Sequence, residues 1–234
     1  MTELISVVVP VYNEDEAIVT CLDQLVGAIT SPFEILVVFD SVDDTTRIPA
    51  EKYALDDPRI VPTLNTYGRG PAQAIRFGID AARGDVVVVT MADGSDDASQ
   101  VDQLARLVRR GVVIAVASRY MKGGQQIGAP FVKSMMSRYA GLTLCWFARV
   151  GTHDATSSFK AYDPAFVREV GIESTTGFAI ALELVAKARR HRRPVAEIPS
   201  IWLERTTGES NFKVWAWLPK YLHWYRYAFG PRIT

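Results

Sequence analysis

Four consecutive valines, Val86 to Val89, run into Asp93, Asp96 and Asp97 with only a few residues between. A β-branched run without polar alternation must be covered on both faces, as in a parallel sheet carrying helices on either side. The same pattern recurs in "LISVVVPVY", "FEILVVFD", "IVPTLN" and "VVIAVASRY". Between these runs lie helical stretches. "EDEAIVTCLDQLVGAI" spaces Ile18, Leu22, Leu25, Val26 and Ile29 along one helical stripe, and "DDTTRIPAEKYAL", "GPAQAIRFGIDAA" and "SQVDQLARLVRR" follow in turn. Strand and helix alternate through residue 120, which predicts an α/β fold with a mainly parallel sheet and right-handed crossovers.

After residue 120 the rhythm changes. "KGGQQIGAPF" reads as a Gly-rich loop, residues 131–149 as a long helix, and "GTHDATSSFKAYD" as polar and turn-rich. "GFAIALELVAKARR" is helical, "PVAEIPSIWL" extended and "ERTTGESNFK" a polar loop before an aromatic tail at 212–229, where Pro219 is expected to break or restart the helix. No linker separates the halves, so the expectation is one domain over 1–234, with a ligand-binding half at 1–120 and a lid-bearing half at 121–211. At 48% hydrophobic and 22% charged residues the chain is globular. Its 26 basic and 26 acidic residues give no global field to attract nucleic acid. Cys21 and Cys145 form neither a metal-like cluster nor a disulfide framework. "YAGLTLCWFA" (139–148) falls far short of the roughly 20 residues of a membrane span and reads as a buried helix. The chain enters its first strand without a charged-then-apolar leader, so a cytoplasmic location is expected.

Three strands end in polar groups at one sheet edge: Tyr12, Asn13 and Glu14 after the first, Asp40, Asp43 and Asp44 after the second, Asp93 after the fourth. Each acid alone fits a turn or helix cap, and Asp96 or Asp97 suits the cap of the helix near 99–110. Together they suit a pocket that hydrogen-bonds a uracil- or guanine-like base beside a divalent metal, because ligands of open α/β sheets sit at that edge and oxygen-only donors favour Mg²⁺ or Mn²⁺. A dinucleotide G-x-G-x-x-G and a P-loop are both absent. "YGRGPAQA" has only two glycines and follows the third strand.

"VVVPVYNE", "VVFDSVDDTT", "TYGRGPAQAIRFGIDAARGDVVVVTMADGSDD" and "ASRYMKGG", in this order, resemble the family 2 glycosyltransferases of GT-A fold. The branch that makes polyprenol-phosphate (dolichol-phosphate) mannose or glucose is the closer likeness, continued by "HDATSSFKAY" and "EIPSIWLERTTGESNFK". The resemblance implies inverting transfer from a UDP- or GDP-linked sugar, with Mg²⁺ or Mn²⁺, onto a lipid-phosphate acceptor. It places Pro10, Tyr12, Glu14, Val38 and Asp40 around the base and ribose. Ala92 and Asp93 match the end of the D-x-D motif, with Asp93 as metal ligand, and Arg119, Arg138 and Arg205 match arginines that face phosphates. The first acid of D-x-D is Met91 here, Ala179 stands where a lysine is usual, and Ser210-Asn211 replaces Ser-Lys.

An anionic acceptor needs no strong base, so positioning and electrostatics carry the reaction. The expected catalytic set is Asp93, Asp96, Arg119 and Arg205. An alcohol acceptor would instead require a base among Asp96, Asp97, Asp154 and Glu183. Asp154 also reads as a turn residue, and Glu183 as the partner of a neighbouring lysine or arginine. "RTTGES" suits a mobile lid carrying Arg205. Trp215, Trp217, Trp224 and Tyr225, interleaved with bases, suit peripheral contact with the inner face of the cell membrane. A soluble or glycan acceptor, or a silent nucleotide-sugar-binding protein, are the other readings.

Overall fold

The computed structural model describes residues 3–128, 131–203 and 214–233, without the side chains of 131–133 and 214–217. Strands β1 (Ile5–Pro10), β2 (Phe33–Phe39), β3 (Ile60–Leu64), β4 (Val86–Val89) and β5 (Ile114–Ser118) alternate with helices α1 (Ala17–Ala28), α2 (Arg47–Asp56), α3 (Pro71–Ala81) and α4 (Val101–Arg109). Beyond them come β6 (Gln125–Ile127), α5 (Phe131–Thr143), a π-turn at Leu144–Ala148, β7 (Lys160–Tyr162), α6 (Pro164–Val170), α7 (Ile180–Arg190), β8 (Val195–Pro199), β9 (Ile201–Leu203) and α8 (Val214–Ala228).

The main sheet has the order β3-β2-β1-β4-β7-β5-β8. All its pairings are parallel except those of β7, which runs antiparallel to β4 and β5 on either side. Every residue of β1, β2, β4 and β5 is buried. Their side chains divide by strand alternation between two cores. Val8, Val38, Val87 and Val89 pack with Ile75, Ile79, Leu182, Val185 and Trp224, while Val7, Val9, Val37 and Val88 pack with Leu22, Leu25, Leu104 and Ala105. The strand order reverses between β1 and β4, so the carboxyl ends of these neighbours form the crevice at which such sheets take ligands.

The second half contributes β7 and β8 to this same sheet. Lys160 to Tyr162, in the segment expected to be polar and turn-rich, form the β7 strand. Their pairing with Val87–Val89 and Ile114–Val116 outweighs a local sequence too short and polar to signal a strand. The Gly-rich loop likewise holds β6, which joins β9 in a separate two-stranded parallel sheet. The long helix expected at 131–149 runs as α5 and then widens into the π-turn, ending where Arg149 adopts a left-handed φ of 57°.

Two expectations about the apolar end of the chain are corrected. Helix α8 runs through Pro219 instead of breaking there. Proline forfeits one hydrogen bond, and packing of α8 on α7 and the core, through Trp224 and Ala228, offsets that loss. The stretch 139–148 is not a buried helix: Tyr139, Trp146 and Phe147 are 62%, 62% and 72% exposed, and only Leu144 and Ala148 enter the core.

Helix α5 lies close to the loop after the π-turn. A Cβ on Gly141 would come 2.1 Å from the His153 carbonyl oxygen, a backbone atom that cannot rotate away. Gly141→Ala is therefore expected to destabilise the fold by roughly 1–3 kcal/mol, the usual cost of overpacking, read as a lower urea midpoint with unchanged slope.

Candidate functional site

The tips of β1 and β2 are laced together. Asp44 accepts from the backbone N–H groups of Asn13 (3.2 Å) and Thr46 (2.9 Å), and the Thr46 hydroxyl accepts from Glu14 N–H at 2.9 Å. Asn13, at φ 52°, in turn accepts at its Oδ1 from Thr45 N–H. This turn leaves Tyr12 63% exposed at the crevice mouth. Pro10 is buried at the end of β1. Val38 is fully buried with its side chain among α3 and the core, which leaves only its backbone near a ligand, and its carbonyl already accepts from Val11 N–H.

Asp40 is engaged from two sides. Its Oδ1 accepts from Asn65 Nδ2 at 2.8 Å and its Oδ2 from Gly70 N–H at 2.6 Å. Asn65 also donates to Gly68 O. The "YGRG" loop is thus drawn over the end of β2, with Gly68 and Gly70 at φ 118° and 108°, where a side chain would strain the backbone.

The three acids after β4 take three different roles. Asp97 caps the turn into α4, accepting from Ser99 N–H at 3.0 Å. Asp96 turns inward: its Oδ2 accepts from Thr90 Oγ1 (2.9 Å) and Met91 N–H (3.2 Å). Asp93 stays at the strand tip, its Oδ1 accepting from Ser95 N–H and Oγ. Ala92, just before Asp93, is buried. Burial and the neighbouring Asp93 push the Asp96 carboxyl up to about 6. Beneath them Cys21, 3.9 Å from the Met91 carbonyl, has its thiol pushed up to about 12 by burial and then by Asp96, Asp93 and Glu14. Negative charge therefore converges where β1 and β4 end.

Among the described residues no three His, Cys, Asp or Glu side chains form a self-sufficient metal site. The donor set nevertheless fits a hard divalent cation. Asp93 offers carboxylate oxygen, and the nearby thiol is held protonated. Mg²⁺ takes one or two protein carboxylates and completes its shell from phosphates and water.

Across the crevice, Arg119 follows β5. Its Nε and Nη2 form a fork on Asp154, at 2.7 and 2.8 Å, and its backbone N–H reaches the same carboxylate at 3.0 Å. Burial works against both charges. The pairing outweighs it, holding the guanidinium above and the Asp154 carboxyl below their ordinary values. Asp154 is fully buried and also accepts from Ser157 N–H, so it is a partner of Arg119 and not a free base. Arg138 lies exposed on α5 beside a groove of about 340 Å³ formed with Ser134, Met135, Tyr139 and Leu142. Arg205 and the "RTTGES" segment lie outside the described residues.

Glu183 is also structural. It accepts from the backbone N–H groups of Glu173 (2.6 Å) and Ser174 (2.8 Å) and from Lys187 Nζ (2.7 Å). Trp224 donates to Ser174 Oγ at 2.9 Å and is 4% exposed, which removes it from any membrane-facing role. Tyr225 donates to Thr143 Oγ1. Lys160, which sequence reasoning did not single out, is fully buried below Asp154 and Arg119. Its only signal was a lone lysine between Phe159 and Ala161, in a stretch that gave no strand pattern.

The family model described as "Glycosyl transferase family 2" matches residues 6–170. The polyprenol monophosphomannose synthase of Mycolicibacterium smegmatis is 28% identical over 232 residues, covering 92% of this chain and 87% of that protein. Among solved structures, glucosyl-3-phosphoglycerate synthase from Mycobacterium tuberculosis, in complex with Mn²⁺, UDP and phosphoglyceric acid, superposes with TM-score 0.68 at 16% identity over 99% of this chain and 80% of that one. A mannosyltransferase from Pyrobaculum calidifontis, in complex with GDP-Man and Mn²⁺, superposes with TM-score 0.61 at 19% identity over 93% of this chain and 60% of that one.

Removing Glu183 would leave the backbone N–H groups of Glu173 and Ser174 without their acceptor and the Lys187 ammonium, which is 3% exposed, with Glu173 as its remaining carboxylate partner. Glu183→Ala is expected to cost roughly 3–5 kcal/mol of stability, as for one partner of a buried pair. Chemical denaturation measures this, and the turnover of the remaining folded fraction should stay at the wild-type rate.

Proposed function

The chain belongs to glycosyl transferase family 2, and from that premise we propose that it transfers a sugar, with inversion, from a UDP- or GDP-linked donor to a polyprenyl phosphate at a membrane surface. The donor belongs at the carboxyl ends of β1, β2 and β4, where Tyr12, Glu14 and Asp40 border the base and ribose side and Asp93 the diphosphate. A divalent cation held by Asp93 would neutralise the departing diphosphate. Arg119, fixed by Asp154, keeps further N–H donors of its fork for phosphate oxygens. Arg205 is assigned the same task from sequence alone.

The observation that carries the lipid acceptor is the segregation of charge and aromatic surface. The chain as a whole has net charge +0, yet residues 119–153 contain Arg119, Lys122, Lys133, Arg138 and Arg149 and no Asp or Glu. Residues 210–234 contain Lys213, Lys220, Arg226 and Arg232 and likewise no acid. The two segments meet where Tyr225 bonds Thr143. On this side Tyr139, Trp146 and Phe147 project into solvent, with Met135, Met136, Leu222 and Phe229 each about 40% exposed. Exposed aromatics among bases suit the headgroup level of an anionic bilayer. The α5 groove combines Arg138 and Ser134 with Met135, Tyr139 and Leu142, matching a phosphate that carries an apolar tail.

An acceptor phosphate arrives ionised, so transfer requires alignment of its oxygen with the sugar carbon and no strong base. That agrees with the structural engagement of Asp154 and Glu183. No helix among the described residues is long and apolar enough to cross a membrane, so contact is peripheral in this reading.

Asp93→Asn is expected to keep the fold and lose turnover by roughly 100-fold or more, because a Lewis-acid metal contributes several kcal/mol. The assay follows labelled sugar from UDP- and GDP-linked donors into organic-extractable product. Wild-type turnover by the variant would remove Asp93 from the metal role, and product confined to the aqueous phase would overturn the lipid acceptor.

A second test isolates the surface. Replacing both Trp146 and Phe147 by Ser should lower co-sedimentation with anionic vesicles by about tenfold or more, since burying one large apolar side chain is worth roughly 1.5–3 kcal/mol. Wild-type binding should also weaken with salt, each base near the surface contributing about 1 kcal/mol. Equal sedimentation of the two proteins would remove this face from the membrane.

A further inference from the structure

Lys160 places an amine where ordinary folding would put a hydrophobic residue. It sits in β7 between Val89 of β4 and Val116 of β5, with no exposed surface. Its Nζ donates to the carbonyl oxygens of Ala155, at 3.2 Å, and Ser157. The turn these carbonyls belong to starts at Asp154, whose carboxylate is the fork partner of Arg119 and accepts from Ser157 N–H at 3.1 Å. The two ends of one short turn are thus gripped from opposite sides, its carbonyls by Lys160 and its carboxylate by Arg119.

The charged groups around Lys160 are Asp154, Arg119 and Asp96, and they alternate in sign with it. Together with Lys160 they come from four places in the chain: the loop after β4, the end of β5, the 150–159 loop and β7. Burial pulls the Lys160 amine down to about 7, with Asp154 working in the other direction. A lysine so costly to bury is retained for what it holds in place, since a charge in such a position is stabilising only when its partners are fixed.

We propose that Lys160 is a positioning residue for transfer: by folding the Asp154–Ser157 turn it fixes Asp154, and through Asp154 the angle at which Arg119 presents its guanidinium to phosphate. The inference rests on the reading of Arg119 as a phosphate-facing group. It extends that reading to a residue that touches neither substrate. The bonds of Lys160 go to Ala155 and Ser157 and those of Asp40 to Asn65 and Gly70, so the base and ribose side of the donor site keeps its contacts when Lys160 is lost. Arg119 instead swings or tilts, and misplacing a phosphate ligand by about 1 Å costs on the order of 100-fold in rate.

The test compares Lys160→Met, Lys160→Arg, Asp154→Asn and Arg119→Lys in the full-length protein, with kcat and the donor KM measured separately. Lys160→Met is expected to lower kcat by about 100-fold with the donor KM unchanged, and Lys160→Arg, which keeps charge and donors, to recover most of it. Combining Lys160→Met with Asp154→Asn should cost little more than either alone, because both act through one turn. Wild-type kcat in folded Lys160→Met, or equal losses in kcat and donor affinity, would overturn the proposal. If Lys160→Met does not fold, Lys160→Gln carries the same readout, and failure of both to fold would make the residue purely structural and overturn the proposal too. Impairment of Arg119→Lys without impairment of Lys160→Met sinks only the positioning role. Wild-type turnover by Arg119→Lys sinks the phosphate-facing reading itself.

Discussion

A sheet buried on both faces has no room for polar chemistry except where its strands end, and that constraint orders the whole molecule. Residues of β1, β2, β4 and β5 are wholly inside, so apart from Ser6, Glu34 and Ser118 near the strand ends their side chains are spent on two apolar cores. The first polar groups able to meet a ligand come just past the last paired residue. Because β1 and β4 are parallel neighbours running out from the reversal of strand order, their tips converge, and so do Glu14, Asp93 and Asp96. The acidic field that burdens Cys21 and Asp96 follows from the strand order as much as from the residues themselves.

The opposite wall of the crevice is held by ion pairing instead of strand convergence. Strand β7 enters between β4 and β5 in the reverse direction, so the loop leading into it arrives at the same edge from which Arg119 departs. Asp154 and Arg119 can then meet inside the protein, each offsetting the other's desolvation. A lone member of this pair would be expensive. The edge therefore carries acids at the tips of β1 and β4 and a matched Arg119–Asp154 pair after β5.

The first half was legible because each element is long enough to show its period. Val86 to Val89 and the Ile18–Leu22–Leu25 stripe lie buried as their patterns require. The three acids after β4 were legible as a group but not as individuals. Which one caps, which turns inward and which stays at the tip depends on bonds to Thr90, Met91, Ser95 and Ser99 that spacing does not encode. β7 was hidden because three residues with a lysine among them carry no strand signal until their neighbours are known. Residues 139–148 misled for the opposite reason. Hydropathy marks Tyr139, Trp146 and Phe147 as apolar and says nothing about which way they face, and a π-turn displaces Trp146 and Phe147 from the helical stripe. In the tail, the same ambiguity made Trp224 look available when it is a core residue bonded to Ser174.

The placement of β7 has an architectural consequence. The chain leaves the sheet at Ser118 and re-enters it at Lys160 on the very next strand, so the long excursion 119–159 begins and ends on neighbouring strands, which in sheets generally lie about 4.8 Å apart. An insertion whose ends lie on neighbouring strands adds little closure entropy as it lengthens, and its sequence is free to diverge while the β1–β4 scaffold stays as it is. The excursion behaves as a cassette plugged into adjacent sockets. Exchanging it between related proteins, with Asp154 and Lys160 kept at its exit and Arg119 at its entrance, offers a direct way to reprogram one side of such a molecule without rebuilding the other.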